Sequence, residues 1–87
     1  MNTENLEDPP TLKSLRESAG LTQPELSRRI NAGIRTIGDW ERGTYAPSFD
    51  RAIALSRELG VSLKTLARSM RLDVTGVPDD APLRLEE

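Results

Sequence analysis

The sequence predicts an all-α domain of five short helices, on three observations. Apolar residues recur three or four positions apart between Leu12 and Leu66, and no stretch shows the strict alternation of a strand. Thr or Ser stands in front of four of these segments as a cap, and Gly or Asn closes four of them. With 87 residues, 36% hydrophobic and 30% charged, the chain has material for one core and no second domain. A domain of this size buries only about 60% of its unfolded surface. A single Phe, Trp and Tyr leave that core mostly aliphatic, so modest stability is expected.

Residues 1–10 are polar and acidic and end in Pro9 and Pro10, which resist a helix running through them; a flexible N-terminal arm is expected. The folded domain is expected over 11–71. Thr11 can cap the first helix, Leu12 and Leu15 share a face, and Gly20 supplies a left-handed stop. The second start is the firmest: Thr22 caps, Glu25 completes a capping box, and Pro24 stands in the first turn, where its missing N–H costs nothing. Leu26 and Ile30 lie four apart on this helix, and Asn31 suits the left-handed turn that ends it. Only Ala32 and Gly33 then precede a third periodic segment, with Ile37 and Trp40 inward and Gly43 as its stop. Two short helices joined so tightly cross steeply, which is a helix-turn-helix arrangement. After Thr44, Tyr45, Ala46 and Pro47, Ser48 caps a fourth helix with Phe49, Ala52, Leu55, Ser56 and Leu59 expected inward and Gly60 at its end. Ser62 caps a fifth, which carries Leu63 and Leu66 towards the core. Residues 72–87 are rich in Pro, Gly and Asp and are expected to form a flexible acidic tail.

Composition excludes several classes of function. There is no Cys, hence no disulfide, thiolate zinc site or nucleophilic thiol, and no His, the commonest general base and metal ligand. No catalytic arrangement of nucleophile, base and oxyanion donors can be assembled, so an enzyme is not expected, and no cofactor or metal is implied. Uncharged runs such as residues 18–24 reach seven residues, far short of the roughly 20 that a membrane span needs. The acidic start does not read as a signal peptide, so a cytoplasmic, nucleoid-associated protein is expected. The net charge of −2 is an average over unlike parts. Residues 1–11 carry −3 and residues 72–87 carry −4, whereas 12–71 hold eleven Lys or Arg against six Asp or Glu, or +5. Such a body is compatible with DNA, because affinity follows the local field of the contacting face.

Three stretches, LKSLRESAGLTQPELSRRI, TIGDWERGTYAPS and RELGVSLKTL, stand in an order and spacing that resembles the helix-turn-helix domain of the phage repressor and Cro family, also called the xenobiotic-response-element family. The resemblance covers residues 12–67. It implies a compact five-helix domain of the lambda-repressor-like type whose third helix enters the major groove of double-stranded DNA, usually as half of a dimer on a near-palindromic site.

Carried onto this chain, the resemblance places Ile34, Arg35, Thr36 and Asp39 at base-reading positions. Arg35 has a planar fork that can donate to O6 and N7 of guanine, a contact worth about 1–3 kcal/mol of discrimination; its other reading is a phosphate or solvent contact. Ile34 can meet a thymine methyl or staple the turn, and Thr36 can reach a phosphate or face outward. Asp39 can accept from a cytosine amino group, but the preferred reading pairs it with Arg35 at i, i+4. Gln23 matches a family glutamine at a helix N-terminus, where N–H groups and the dipole favour a phosphate. Arg28, Arg42, Thr44 and Tyr45 are the other implied backbone contacts. Arg16 and Glu41 match a structural ion pair between the first helix and the end of the third, and Trp40 matches a core position. Gly33 stands where the family has a capping Ser or Thr, and Gly38 weakens the reading helix by roughly 1 kcal/mol relative to Ala. The expected function is sequence-specific DNA binding by a small transcriptional regulator, a repressor, acting as a homodimer through the surface around Val61, Met70 and Leu72. The alternative is an antitoxin or adaptor whose tail, with Leu83 and Leu85, orders on a partner protein.

Overall fold

The computed structural model describes residues 9–78. Five helices follow one another: α1 (Leu12–Ser18), α2 (Gln23–Ile30), α3 (Ile34–Arg42), α4 (Phe49–Leu59) and α5 (Leu63–Ser69). No strand occurs among the described residues. Pro9 and Pro10 are exposed; the rest of the N-terminal arm, and tail residues 79–87 with Leu83 and Leu85, lie outside the described residues.

Local chemistry sets the helix starts. At α1 the Thr11 hydroxyl accepts the Ser14 N–H at 3.0 Å, and Ser14 Oγ accepts the Thr11 N–H at 3.0 Å, a reciprocal box made with Ser in the usual Glu position. At α2, Thr22 Oγ1 accepts from the Glu25 N–H at 3.2 Å and Glu25 Oε1 accepts from the Thr22 N–H at 2.8 Å. The Thr22 N–H and hydroxyl favour the charged carboxylate and hold Glu25 below the usual carboxyl range. Ser48 and Ser62 cap α4 and α5 through the N–H groups of Arg51 and Thr65. Among the helices of the described residues only α3 begins without a side-chain cap, because Gly33 has none to offer.

The inward stripes of all five helices meet in one aliphatic core. Leu12 comes from α1, Leu26 and Ile30 from α2, Ile37 and Trp40 from α3, Leu55 and Leu59 from α4, and Leu66 from α5. Helix α2 sits centrally, packed on α3 and α4, while α5 packs on α4 and α1 on α3. Phe49 departs from expectation. It is 70% exposed rather than inward, since it is the first residue of α4 and the inward stripe starts with Ala52 one turn later. Beyond α5 the chain bends at Arg71 (φ 64°), and residues 74–77 close a turn through the Val77 N–H and the Val74 carbonyl at 2.9 Å.

Candidate nucleic-acid interface

The junction between α2 and α3 is three residues long. Asn31 adopts φ 56°, ψ 49°, the left-handed conformation that Asn tolerates better than most side chains, and Gly33 returns to extended backbone before α3 begins. Two side chains hold the turn from outside it. Ser27 Oγ donates to the Ala32 carbonyl. Arg51, reaching across from α4, donates through Nη1 to the carbonyls of Ile30 at 2.6 Å and Asn31 at 2.7 Å. Those carbonyls form the negative end of α2, so the cation also meets the helix dipole favourably. Sequence reasoning missed Arg51. Its signal was a cation in the first turn of α4, where the local dipole disfavours it and a tertiary role is therefore indicated.

A turn fixed in this way presents one face of α3 outward. Ile37 and Trp40 are buried, whereas Ile34 is half exposed and Arg35 is exposed. Thr36 and Asp39 are half-buried. Arg35 makes no hydrogen bond or ion pair among the described residues. The expected Arg35–Asp39 pair is not formed: Asp39 Oδ1 instead accepts from Arg42 Nη2, three residues on. Arg42 folds back along the helix over Gly38, four residues earlier and without a side chain; a Cβ at Gly38 would stand 3.1 Å from Arg42 Nη1. Helix α3 ends at Gly43, φ 80°, from where the Thr44 N–H returns to the Asp39 carbonyl at 2.9 Å. Thr44 and Tyr45 follow on the surface, both exposed.

Behind this face α1, α2 and α3 are tied by one buried cluster. Arg16 donates through Nε to Glu41 Oε2 at 2.6 Å, through Nη2 to Glu41 Oε1 at 3.3 Å and through Nη1 to the Leu21 carbonyl at 3.0 Å. The two ionic side chains are only 9% and 8% exposed. The bond to Glu41 raises the Arg16 pKa, outweighing the burial that opposes the charge. Gln23 Nε2 also donates to Glu41 Oε1, at 2.9 Å. Gln23, at the first position of α2, is thereby oriented with its second amide N–H uncommitted. Arg28 is exposed and makes no ion pair among the described residues, while its neighbour Arg29 meets Glu58 of α4 at 3.2 Å.

The surface expected to carry a dimer differs in detail. Val61 and Met70 are half-buried against the core, and of the three only Leu72, at 53%, is exposed. Met70 and Leu72 line a shallow apolar groove of about 470 Å³ between α5, the start of α4 and residues 72–77, with Phe49 and Val77 also exposed along it.

No helix among the described residues is long and apolar enough to cross a membrane. A family model described as helix-turn-helix matches residues 12–66, from the start of α1 into α5 and more than half of the chain. No curated protein and no solved structure matches. On the matched span, with its short turn between α2 and α3 and the outward face of α3, the chain belongs to the xenobiotic-response-element family of helix-turn-helix domains, a DNA-binding regulatory family.

Proposed function

We propose that the protein is a sequence-specific transcriptional regulator, a repressor, that lays α3 in the major groove of double-stranded DNA and binds as a dimer. The observation that carries the reading is Arg35. Its guanidinium is exposed on the outward face of the helix that follows the tight turn, and nothing among the described residues uses its donors. That is the state required for bidentate donation to a guanine edge. Ile34 beside it offers apolar surface to a thymine methyl, Thr36 a hydroxyl, and Asp39 an acceptor for a cytosine amino group. Gln23, Arg28, Arg42, Thr44 and Tyr45 supply phosphate contacts, which set position rather than sequence. The dimer forms over the apolar rim of Phe49, Leu72 and Val77, since a cluster of exposed apolar side chains on so small a domain is an interaction surface. Two copies then place their α3 helices one DNA turn apart, about 34 Å.

The test is selection from random-sequence duplexes at near-physiological salt, followed by sequencing of the retained DNA. A two-fold-related motif is expected, relaxed at one base pair per half-site by Arg35→Ala. Retention without sequence preference, or none, overturns the reading and favours the adaptor that captures a protein through its tail. Sedimentation on the recovered duplex is expected to show two chains bound, and one chain when Leu72→Asp is introduced. A reporter with the motif over its promoter is expected to fall when the protein is supplied; a rise makes it an activator.

A further inference from the structure

We propose that Asp39 and Arg42 form an exchangeable pair through which Arg42 contributes to binding a specific site but not random DNA; the inference rests on the DNA-reading role given to α3. Ile34, Arg35, Gly38, Asp39 and Arg42 fall on one stripe of α3, at steps of one and three residues. Gly38, in the middle of that outward stripe, is nevertheless buried, and the three atoms nearest to where its Cβ would stand all belong to the Arg42 guanidinium, at 3.1, 3.8 and 3.8 Å. In the free protein Arg42 therefore lies across the centre of the reading face, paired with Asp39. The side chains are 63% and 21% exposed, so water and ions reach the pair and, away from the polyanion, parting it costs little.

On DNA the two partners want different things. Arg42 is attracted to phosphate. A released Asp39 is a carboxylate facing a polyanion, and its favourable contact in the major groove is the N4 amino group of cytosine. A cytosine opposite Asp39 takes over the carboxylate and frees Arg42 for the backbone. Without it, Asp39 keeps Arg42, and the phosphate contact is not made. One carboxylate thus makes a sequence-blind contact conditional on sequence, and Gly38 is the positioning residue that leaves room for the arrangement.

The test compares the full chain with Arg42→Ala, Asp39→Ala and the double variant, on the duplex recovered by selection and on a random-sequence duplex of equal length, as the dependence of affinity on salt. Each phosphate contact adds about 0.9 to that slope. Arg42→Ala is expected to lower the slope by about one on the recovered duplex and to leave it unchanged on the random one. Asp39→Ala is expected to raise the slope on random DNA by about one, an increase absent from the double variant. Asp39→Asn, which keeps the shape of the side chain, repeats the result if the alanine variant melts early. If Arg42→Ala lowers both slopes equally, or neither, the proposal is overturned. If no motif is recovered at all, the sequence-reading function falls, and the random-duplex slopes still decide whether Asp39 withholds Arg42.

Discussion

Two arginine–carboxylate pairs terminate on α3, and they behave as different devices. Arg16–Glu41 is nearly closed off from water, with side chains 9% and 8% exposed, and it is extended by bonds from Arg16 to the Leu21 carbonyl and from Gln23 to Glu41. Arg42–Asp39 is one short step along the same helix but stands on its outer face, 63% and 21% exposed, with no further partner among the described residues. The chemistry of the groups is the same; burial separates them. A buried pair cannot lose one member without stranding a charge in a low dielectric, so it behaves as a structural tie between α1, α2 and α3. An exposed pair can trade either member for a ligand.

That contrast can be broken by stability measurements. Glu41→Ala is expected to cost about 3–5 kcal/mol, by leaving the Arg16 charge unpaired. For a domain of this size each kcal/mol moves the melting temperature by about 4–8 °C, so thermal denaturation followed by circular dichroism reads the loss directly. An unchanged melting temperature would mean that the inner pair is no tie. Arg51→Ala removes two charge-assisted bonds to the α2–α3 turn and is expected to cost about 1.5–3 kcal/mol; faster amide exchange at Asn31 and Ala32 would localise the effect. Arg35→Ala should leave the melting curve alone while removing about 1–3 kcal/mol of discrimination at one base pair, measured by competition between the recovered duplex and its single-base variants. A drop in stability there would place Arg35 with the structural arginines. For the outer pair, Asp39→Ala is expected to shift stability by less than about 1 kcal/mol. A loss as large as that of Glu41→Ala would erase the distinction between the pairs. The smallest effect concerns acid. Because the capping box depresses the Glu25 pKa, its contribution is complete above the ordinary carboxyl range and is lost as the pH falls through the lower folded value. Glu25→Gln retains the capping geometry without the titration, so its stability should fall less than the wild type's between neutral pH and acid denaturation.

Much of this was legible in the residues. Thr22, Glu25 and Pro24 announce α2, Asn31 its end, Ser48 and Ser62 the last two helices, and Ile37 with Trp40 the inner face of α3, because each signal lies within four residues of the event it controls. The resemblance to a known family named Arg16 with Glu41, 25 residues apart, a pairing that periodicity alone does not suggest. One departure came from competition between neighbours. Asp39 had Arg35 and Arg42 within reach on one helix face, and it took Arg42, whose guanidinium lies over Gly38. Phe49 was assigned to the core by its hydrophobicity and its i, i+3 step to Ala52, but it starts its helix at the rim of a groove. Val61 and Met70 were read as exposed, whereas each is half-buried and packed against the core.

The sequence by itself determined the number of helices, where they begin and end, which stripe of each is apolar, and that a basic body lies between acidic ends. These follow from capping, turn conformation and periodicity, all local interactions decided by residues a few positions apart. Only the tertiary structure decided that Arg51 holds the helix-turn-helix junction across 20 residues of chain, that Gln23 leans on Glu41, and that Asp39 takes Arg42 and leaves Arg35 without a partner among the described residues. Those choices depend on which side chains the packing brings within 3 Å of one another and which it leaves in water.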